Sequence, residues 1–361
     1  MALLVGQFVL LAAGVAIAGV VLARAADGIA EVTRLGRLLV GSLLLAGATS
    51  LPELSVNLAA VRTGLPDLAV GNLCGACLMN LLVLAVLDLC HRAPHGMLSR
   101  ESAAHALSAT LGIAMAAIAA TGIITAEHLP RATLLGLGPS SWALLATYVL
   151  GARLIFLDQR IAARTLADEQ GRAAVVSGRR ELLRSGAAFA AAAAVLVVLG
   201  PRLARVAGEI AEASGLGESF VGTVLLAICT TLPEIVTSVT ALRLGAFDLA
   251  IGNVFGSNAL NLALLVPLDA VHTGLLLADV SSLHAVTALG IVIATAITVL
   301  GQLYHVEKRI RLVEPDALLV VLVVLVFQSL VFRMSASGPP HAHEHAAPAA
   351  TTDASAVGHR Q

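Results

Sequence analysis

Charge is what this sequence has least of. Asp, Glu, Lys and Arg make up 12% of its 361 residues, against about a quarter in an ordinary soluble domain. A water-soluble globule of this length would be left with too little polar coating, so that class is excluded. Disorder, a coiled coil and a secreted disulfide scaffold fall on the same composition. Lysine is almost missing: of twenty-two basic residues only Lys308 is not arginine. No basic stripe exists outside short loops, which excludes nucleic acid as a partner. Aromatic residues are scarce, at 3%. The four cysteines, Cys74, Cys77, Cys90 and Cys229, lie in apolar surroundings and do not read as a disulfide framework. Cys74 and Cys77 have the spacing of a redox pair or half a zinc site, but they fall inside an apolar run, where packing is the expectation.

What is abundant is Ala, Leu, Val and Ile. Hydrophobic residues reach 58% and the mean hydropathy is +0.91. A bilayer span takes about 19 residues, and that ruler finds ten, at 2–22, 36–61, 66–90, 103–122, 132–156, 185–207, 217–242, 248–271, 281–303 and 315–333. The fold class is therefore an all-α polytopic membrane protein. The first span is too long for a signal-peptide core and has no basic residue before it, so it reads as a retained span. With the N-terminus outside, sixteen of the twenty-two Lys and Arg residues fall on the inside. The positive-inside rule then places both termini outside and makes 158–184 the main cytoplasmic loop. The tail, 335–361, is rich in Ala, Pro, Ser, Thr and His and reads as disordered; His341, His343 and His345 alternate there without fixed geometry.

The chain repeats itself. Residues 41–84, shifted by 181, align without a gap on 222–265, with 20 of 44 positions identical. Pro, Glu, Arg, Asp, Gly and Asn are among the matches, which apolar composition alone does not produce. The register continues to Asp88/Asp269 and His91/His272. After a two-residue deletion Ser102/Ser281 and His105/His284 pair as well. The organisation is thus a first five-span repeat at 1–157, the 158–184 loop, a second five-span repeat at 185–334 and the tail. Because five is odd, equivalent spans cross the membrane in opposite directions, as in secondary transporters, whose substrate sites lie near the midplane.

Glu53 and Glu234 are equivalent residues deep in apolar spans. Each costs roughly 2.5–3.5 kcal/mol there on insertion scales, and neither core holds a Lys or Arg to pair with it. Either the carboxyls are protonated and bond between helices, or they hold cations. Pro52 and Pro233 precede them, free the carbonyls of Ala48 and Cys229, and loosen the helix there. Thr49 and Thr230 sit four residues before each Glu, on the same face, and Ser50 and Thr231 add hydroxyls. The following span adds Asn72, Ala76 and Asn80, and in the second copy Asn253, Ser257 and Asn261. Asn72 and Asn253 suit helix–helix bonds; Asn80 and Asn261 suit the site. Gly71, Gly75, Gly252 and Gly256 have the small-xxx-small spacing that lets helices approach. An all-oxygen set of this kind suits hard cations, Ca²⁺ above Mg²⁺. No nucleophile–base pair or closed metal site suggests an enzyme. One pseudo-symmetric acid pair in one chain argues against a channel's ring of acids.

These motifs, Gly47-Ala-Thr-Ser-Leu-Pro-Glu53 with Gly71-Asn72 through Asn80, and Thr230-Thr-Leu-Pro-Glu234 with Gly252-Asn253 through Asn261, resemble the sodium/calcium exchanger family. The resemblance implies alternating-access antiport of Ca²⁺ against Na⁺, with inorganic cations and the bilayer as partners and no resident cofactor. It further implies Ca²⁺ shared by Glu53, Glu234 and the backbone oxygens of Thr49 and Thr230. Sodium would use the hydroxyls of Ser50, Thr231 and Ser257 and the carbonyls of Ala46 and Ala227. The sequence departs from the family pattern in three ways. Ala76 stands where a Ser is usual, Cys77 stands where Asn258 stands in the second copy, and both Asn80 and Asn261 are amides. A second reading therefore stays open: the same fold exchanging Ca²⁺, or another divalent ion such as Mn²⁺, for H⁺, tuned by Asp88, Asp269, His91, His105, His272 and His284.

Overall fold

The computed structural model describes residues 1–33, 37–90, 105–126, 128, 133–170, 178–214, 222–304 and 315–337. Ten long helical stretches follow one another among them. They are α1 (Ala2–Thr33), α2 in two arms (Arg37–Thr49 and Leu51–Arg62), α3 (Pro66–Cys90), α4 (His105–Ile124), α5 (Pro139–Gln170), α6 (Gly178–Ser214), α7 (Gly222–Arg243), α8 (Phe247–Val271), α9 (Leu283–Tyr304) and α10 (Pro315–Ser337). Eight are long and apolar enough to cross a bilayer, and α2 makes a ninth when its arms are joined. The tenth, α7, has 22 residues and carries Glu234. The arrangement is two inverted repeats of five helices, and the only β pairing among the described residues is an isolated bridge, Leu134 to Leu137.

Each span expected from hydropathy meets a helix, with different ends. The segment expected as a loop at 158–184 is helical over 158–170 in α5 and over 178–184 in α6; residues 171–177 lie outside those described. Its composition explains this, because Ala, Arg, Leu, Glu and Gln favour helix in water as much as in lipid. The fifth span begins at Pro139 rather than 132. Leu135 (φ 53°) and Gly136 (φ 78°) turn the chain into the Leu134–Leu137 bridge, and Trp142 Nε1 donates to the Leu134 carbonyl at 3.0 Å. Helix α10 runs through Ser337, so the start of the expected tail is helical; His341, His343 and His345 lie outside the described residues.

The two prolines do unequal things. In the first repeat a π-helical stretch, Val40–Leu45, precedes the site, and the helix breaks at Ser50, with a 42° bend between the arms of α2. Pro52 then falls in the first turn of a new helix, where its missing N–H would have been unpaired anyway. In the second repeat α7 continues through Pro233. The Thr237 hydroxyl donates to the carbonyls of Pro233 (2.8 Å) and Glu234 (3.0 Å), which helps hold that turn together. The expected loosening is therefore visible in the first copy only.

Apolar packing divides into two cores. One joins α3, α4, α5, α8, α9 and α10, with Leu73, Leu81, Met115, Leu144, Phe255 and Ile291 fully enclosed. The other lies under the pair α1 and α6, where Val15, Leu22, Leu196 and Leu203 meet Leu45 of α2 and Cys229 of α7. Helix α8 is the most enclosed of the spans, and its glycines show how. A Cβ on Gly252 would stand 2.9 Å from the Leu38 carbonyl, and one on Gly256 would run into the backbone of Ser42. Gly71 instead makes room for the His284 ring.

Candidate cation site

The crossing of the broken α2, the continuous α7 and the paired helices α3 and α8 gathers the polar residues of both repeats at one place. Glu53 is 0% exposed and Glu234 is 1% exposed. Both carboxylate oxygens of Glu53 and the Oε2 of Glu234 have no hydrogen-bond partner, and both amide atoms of Asn261 are likewise unmatched. Burying carboxylates without partners is costly in any low-dielectric interior. The remaining oxygen, Glu234 Oε1, takes a long bond of 3.5 Å from the Ser50 hydroxyl across the repeat boundary.

Around the acids stand the hydroxyls. Thr49, Ser50, Thr230, Thr231 and Ser257 are all buried. Thr49 Oγ1 donates to the Ala46 carbonyl at 3.2 Å and lies 3.4 Å from Ser257 Oγ. The same Ala46 carbonyl accepts the backbone N–H of Ser50 at 3.0 Å. In the second copy Thr230 Oγ1 donates to Asn72 Oδ1 at 3.4 Å. The repeat position of Ser257 is filled by Ala76, so the hydroxyl cluster has no mirror image there. Ala227 lies within α7, and its side-chain surroundings fall outside the described residues. Across the repeats Thr49 meets Ser257, Ser50 meets Glu234, Thr230 meets Asn72 and Asn80 meets Asn258, while Glu53, Thr231 and Asn261 are buried on the same helices.

Asn80 and Asn261 differ in what they do. Asn80 Nδ2 donates to Asn258 Oδ1 at 3.0 Å, whereas Asn261 keeps an open amide. Asn72 and Asn253 act between helices as expected. Asn72 Nδ2 donates to Asn57 Oδ1 at 3.1 Å, and Asn253 Nδ2 bonds the hydroxyls of Thr237 and Ser238 at 3.1 Å each. Cys77 and Cys74 are buried free thiols.

Four of the duplicated groups near the span ends have partners of their own. Asp269 accepts from the N–H of Gly138 (2.8 Å), the N–H of Leu276 (2.8 Å) and the Ser141 hydroxyl (2.6 Å). His272 meets Asp279 at 3.0 Å. His105 meets Asp248 at 2.8 Å, and His284 meets Asp67 at 3.0 Å. His91 and Ser102 lie outside the described residues. Sequence reasoning missed the carboxylates that meet the two histidines, although Asp67 and Asp248 are themselves an identical pair of the repeat. It also missed Asn57, Thr237 and Ser238, which carry no signal beyond being polar in apolar helices.

Known proteins share this architecture. The family profile described as sodium/calcium exchanger protein matches residues 3–156 and again 185–331. The sodium/calcium exchanger MaX1 of Methanosarcina acetivorans is 41% identical over 71 residues, a stretch that spans only 20% of either chain. The inner membrane protein YrbG of Escherichia coli is 29% identical over 246 residues, covering 65% of this chain and 70% of YrbG. The solved structure of the sodium-calcium exchanger NCX_Mj, from crystals soaked with Na⁺ and Sr²⁺, superposes with a TM-score of 0.68 at 19% identity. It covers 91% of this chain and 99% of its own, and speaks for the fold. With a profile match that runs through both halves, the chain belongs to the sodium/calcium exchanger family, whose members are membrane transporters and not enzymes.

Proposed function

We propose that this protein exchanges Ca²⁺ for Na⁺ across the cell membrane by alternating access, with Glu53 and Glu234 sharing the cargo. The observation that carries the reading is the pair of buried carboxylates, one from each repeat, with three of four oxygens unmatched. Two such groups are stable in a bilayer when a cation neutralises them, and two negative charges balance one Ca²⁺ or two Na⁺. That equality is what makes the ions compete for one site and so exchange rather than leak. Ca²⁺ accepts six to eight oxygens in irregular geometry. The carboxylates, the backbone oxygens of Thr49 and Thr230 and the open amide of Asn261 are of that type. Sodium would draw on Ser50, Thr231, Ser257 and the carbonyls of Ala46 and Ala227, with Asn80 oriented by its bond to Asn258. MaX1 and NCX_Mj, both called sodium/calcium exchangers, support sodium as the counter-ion.

Two repeats, 1–157 and 185–334, would form opposite walls of the site. The arginine distribution supports both termini outside and the 158–184 segment in the cytoplasm. A second reading, exchange of Ca²⁺ or Mn²⁺ for H⁺, is favoured by Ala76, which removes a hydroxyl from one half of the sodium set. Ca²⁺ uptake into proteoliposomes separates the two. An outward Na⁺ gradient drives it under the first reading, and only an outward H⁺ gradient drives it under the second.

A further inference from the structure

Glycines 19 and 200 are repeat equivalents, offset by the same 181 residues as the two glutamates. Each lies where a long outer helix crosses the opposite repeat's acid-bearing helix. Gly200 of α6 faces Pro52: a Cβ built there would stand 2.5 Å from the proline Cβ and 2.9 Å from its Cγ. Gly19 of α1 faces α7: its Cβ would meet Val236 Cγ1 at 3.0 Å, Val236 Cβ at 3.2 Å and the Pro233 carbonyl at 3.7 Å. Pro52 and Pro233 each immediately precede a site glutamate. Gly19 is itself buried, and Leu22 and Leu196 nearby are fully enclosed, so the outer pair is not free to drift outward. Both glycines have ordinary negative φ, since neither is among the positive-φ glycines. Their lack of a side chain is thus a matter of space and not of backbone freedom.

We infer that Gly19 and Gly200 are positioning residues of the exchange reaction: reciprocal seats through which α1 and α6 set the distance to the residue before each glutamate. The inference rests on the proposed cation site. It adds that the spacing of the two carboxylates is fixed from outside the site, across the repeat boundary. Hard-cation affinity depends on ligand spacing, so moving Pro52 by a few tenths of an ångström moves the Glu53 carboxylate and is read as ion affinity. The seats are unequal. Pro52 is a rigid ring close to a backbone break, with nowhere to rotate. Val236 is a side chain that can shift when a methyl arrives at Gly19.

The test is a Ca²⁺ binding isotherm on purified, folded full-length protein in detergent, with thermal unfolding recorded on the same samples. Gly200→Ala is expected to weaken Ca²⁺ binding at least fivefold per folded molecule. Gly19→Ala is expected to weaken it less, by about two- to threefold, and Gly19→Ala combined with Val236→Ala to regain wild-type affinity. Gly6→Ala, exposed on α1 with no described atom near its Cβ, is the control and leaves the isotherm unchanged. Wild-type affinity in Gly200→Ala would overturn the inference. So would a loss of folded protein in which the remaining molecules bind normally, because that is a structural role only. If Gly200→Ala does not fold, failure of Val236→Ala to restore Gly19→Ala overturns it in the same way. A wild-type chain that binds no Ca²⁺ would instead overturn the cation site on which the inference stands.

Discussion

Cys77 and Asn258 occupy the same position in the two repeats and face each other on the line that relates them. Asn258 Nδ2 donates to the Cys77 carbonyl at 3.2 Å, and the Cys77 thiol points to the Asn258 carbonyl at 3.6 Å. Asn80 joins by donating to Asn258 Oδ1. The pseudo-two-fold axis therefore runs through a hydrogen-bonded knot in which α3 and α8 cross.

Removing Asn258 should undo that knot. Asn258→Ala leaves the buried Asn80 amide without its acceptor, at a cost of about 1–3 kcal/mol. The expected outcome is a lower unfolding temperature in detergent, with Asn80→Ala adding little on top because the two act as one unit. A fully additive double variant would show that the bond is not formed.

The glutamates predict a charge-specific loss. Glu53→Gln and Glu234→Gln keep size and hydrogen-bonding capacity but remove one of the two charges that balance Ca²⁺. Titration calorimetry should show Ca²⁺ binding reduced at least a hundredfold in either variant. Membrane expression should be unchanged, since a neutral amide is cheaper to bury than an unmatched carboxylate.

Ser257 and Ala76 predict opposite effects on sodium. Ser257→Ala removes the hydroxyl that lies 3.4 Å from Thr49 Oγ1, and the Na⁺ concentration for half-maximal Ca²⁺ uptake should rise several-fold. Ala76→Ser restores a hydroxyl at the equivalent position and should lower it. If neither substitution moves the sodium dependence while H⁺ drives uptake, sodium does not use these groups.

Gly256 predicts a packing failure. Its Cβ would meet Ser42 backbone rather than the tip of a side chain, so Gly256→Ala has no inexpensive relief and should destabilise by about 1–3 kcal/mol. Thermal unfolding measures this directly, and an unchanged transition would mean that α2 and α8 separate more easily than their contact suggests.

The reciprocal His105–Asp248 and His284–Asp67 contacts tie α4 to α8 and α9 to α3. Asp67 is 57% exposed at its side chain, so a double-mutant cycle for that pair should return no more than about 1 kcal/mol. His105 is enclosed, and His105→Ala should cost more than His284→Ala because it also leaves a void. Equal shifts in unfolding temperature would contradict that ranking.

Much of this was legible in the chain because the repeat is both long and polar at the right places. Glu53 against Glu234, or Asn80 against Asn261, carries information that Leu against Leu does not. Hydropathy located the helices because lipid tolerates little else. It missed their ends at 158–170 and 178–184, where helix propensity, not apolarity, sets the limit. The asymmetry of the site was less accessible. Pro52 and Pro233 are identical in sequence, yet only the first lies at a broken helix; a π-helical turn precedes the first and the Thr237 hydroxyl bonds the carbonyls at the second, and neither feature leaves a periodic signal. The seats at Gly19 and Gly200 fall outside the signature segments and emerge only when helices from opposite repeats are placed against each other.

The central claim is that one buried pair of glutamates couples calcium to sodium. The most direct measurement is the rate of Ca²⁺ uptake into proteoliposomes under an outward Na⁺ gradient, for the wild-type chain beside Glu53→Gln and Glu234→Gln. The account predicts uptake by the wild type that collapses when the Na⁺ gradient is removed, and background rates in both variants. Wild-type-like uptake in either variant, or wild-type uptake indifferent to Na⁺, would contradict it.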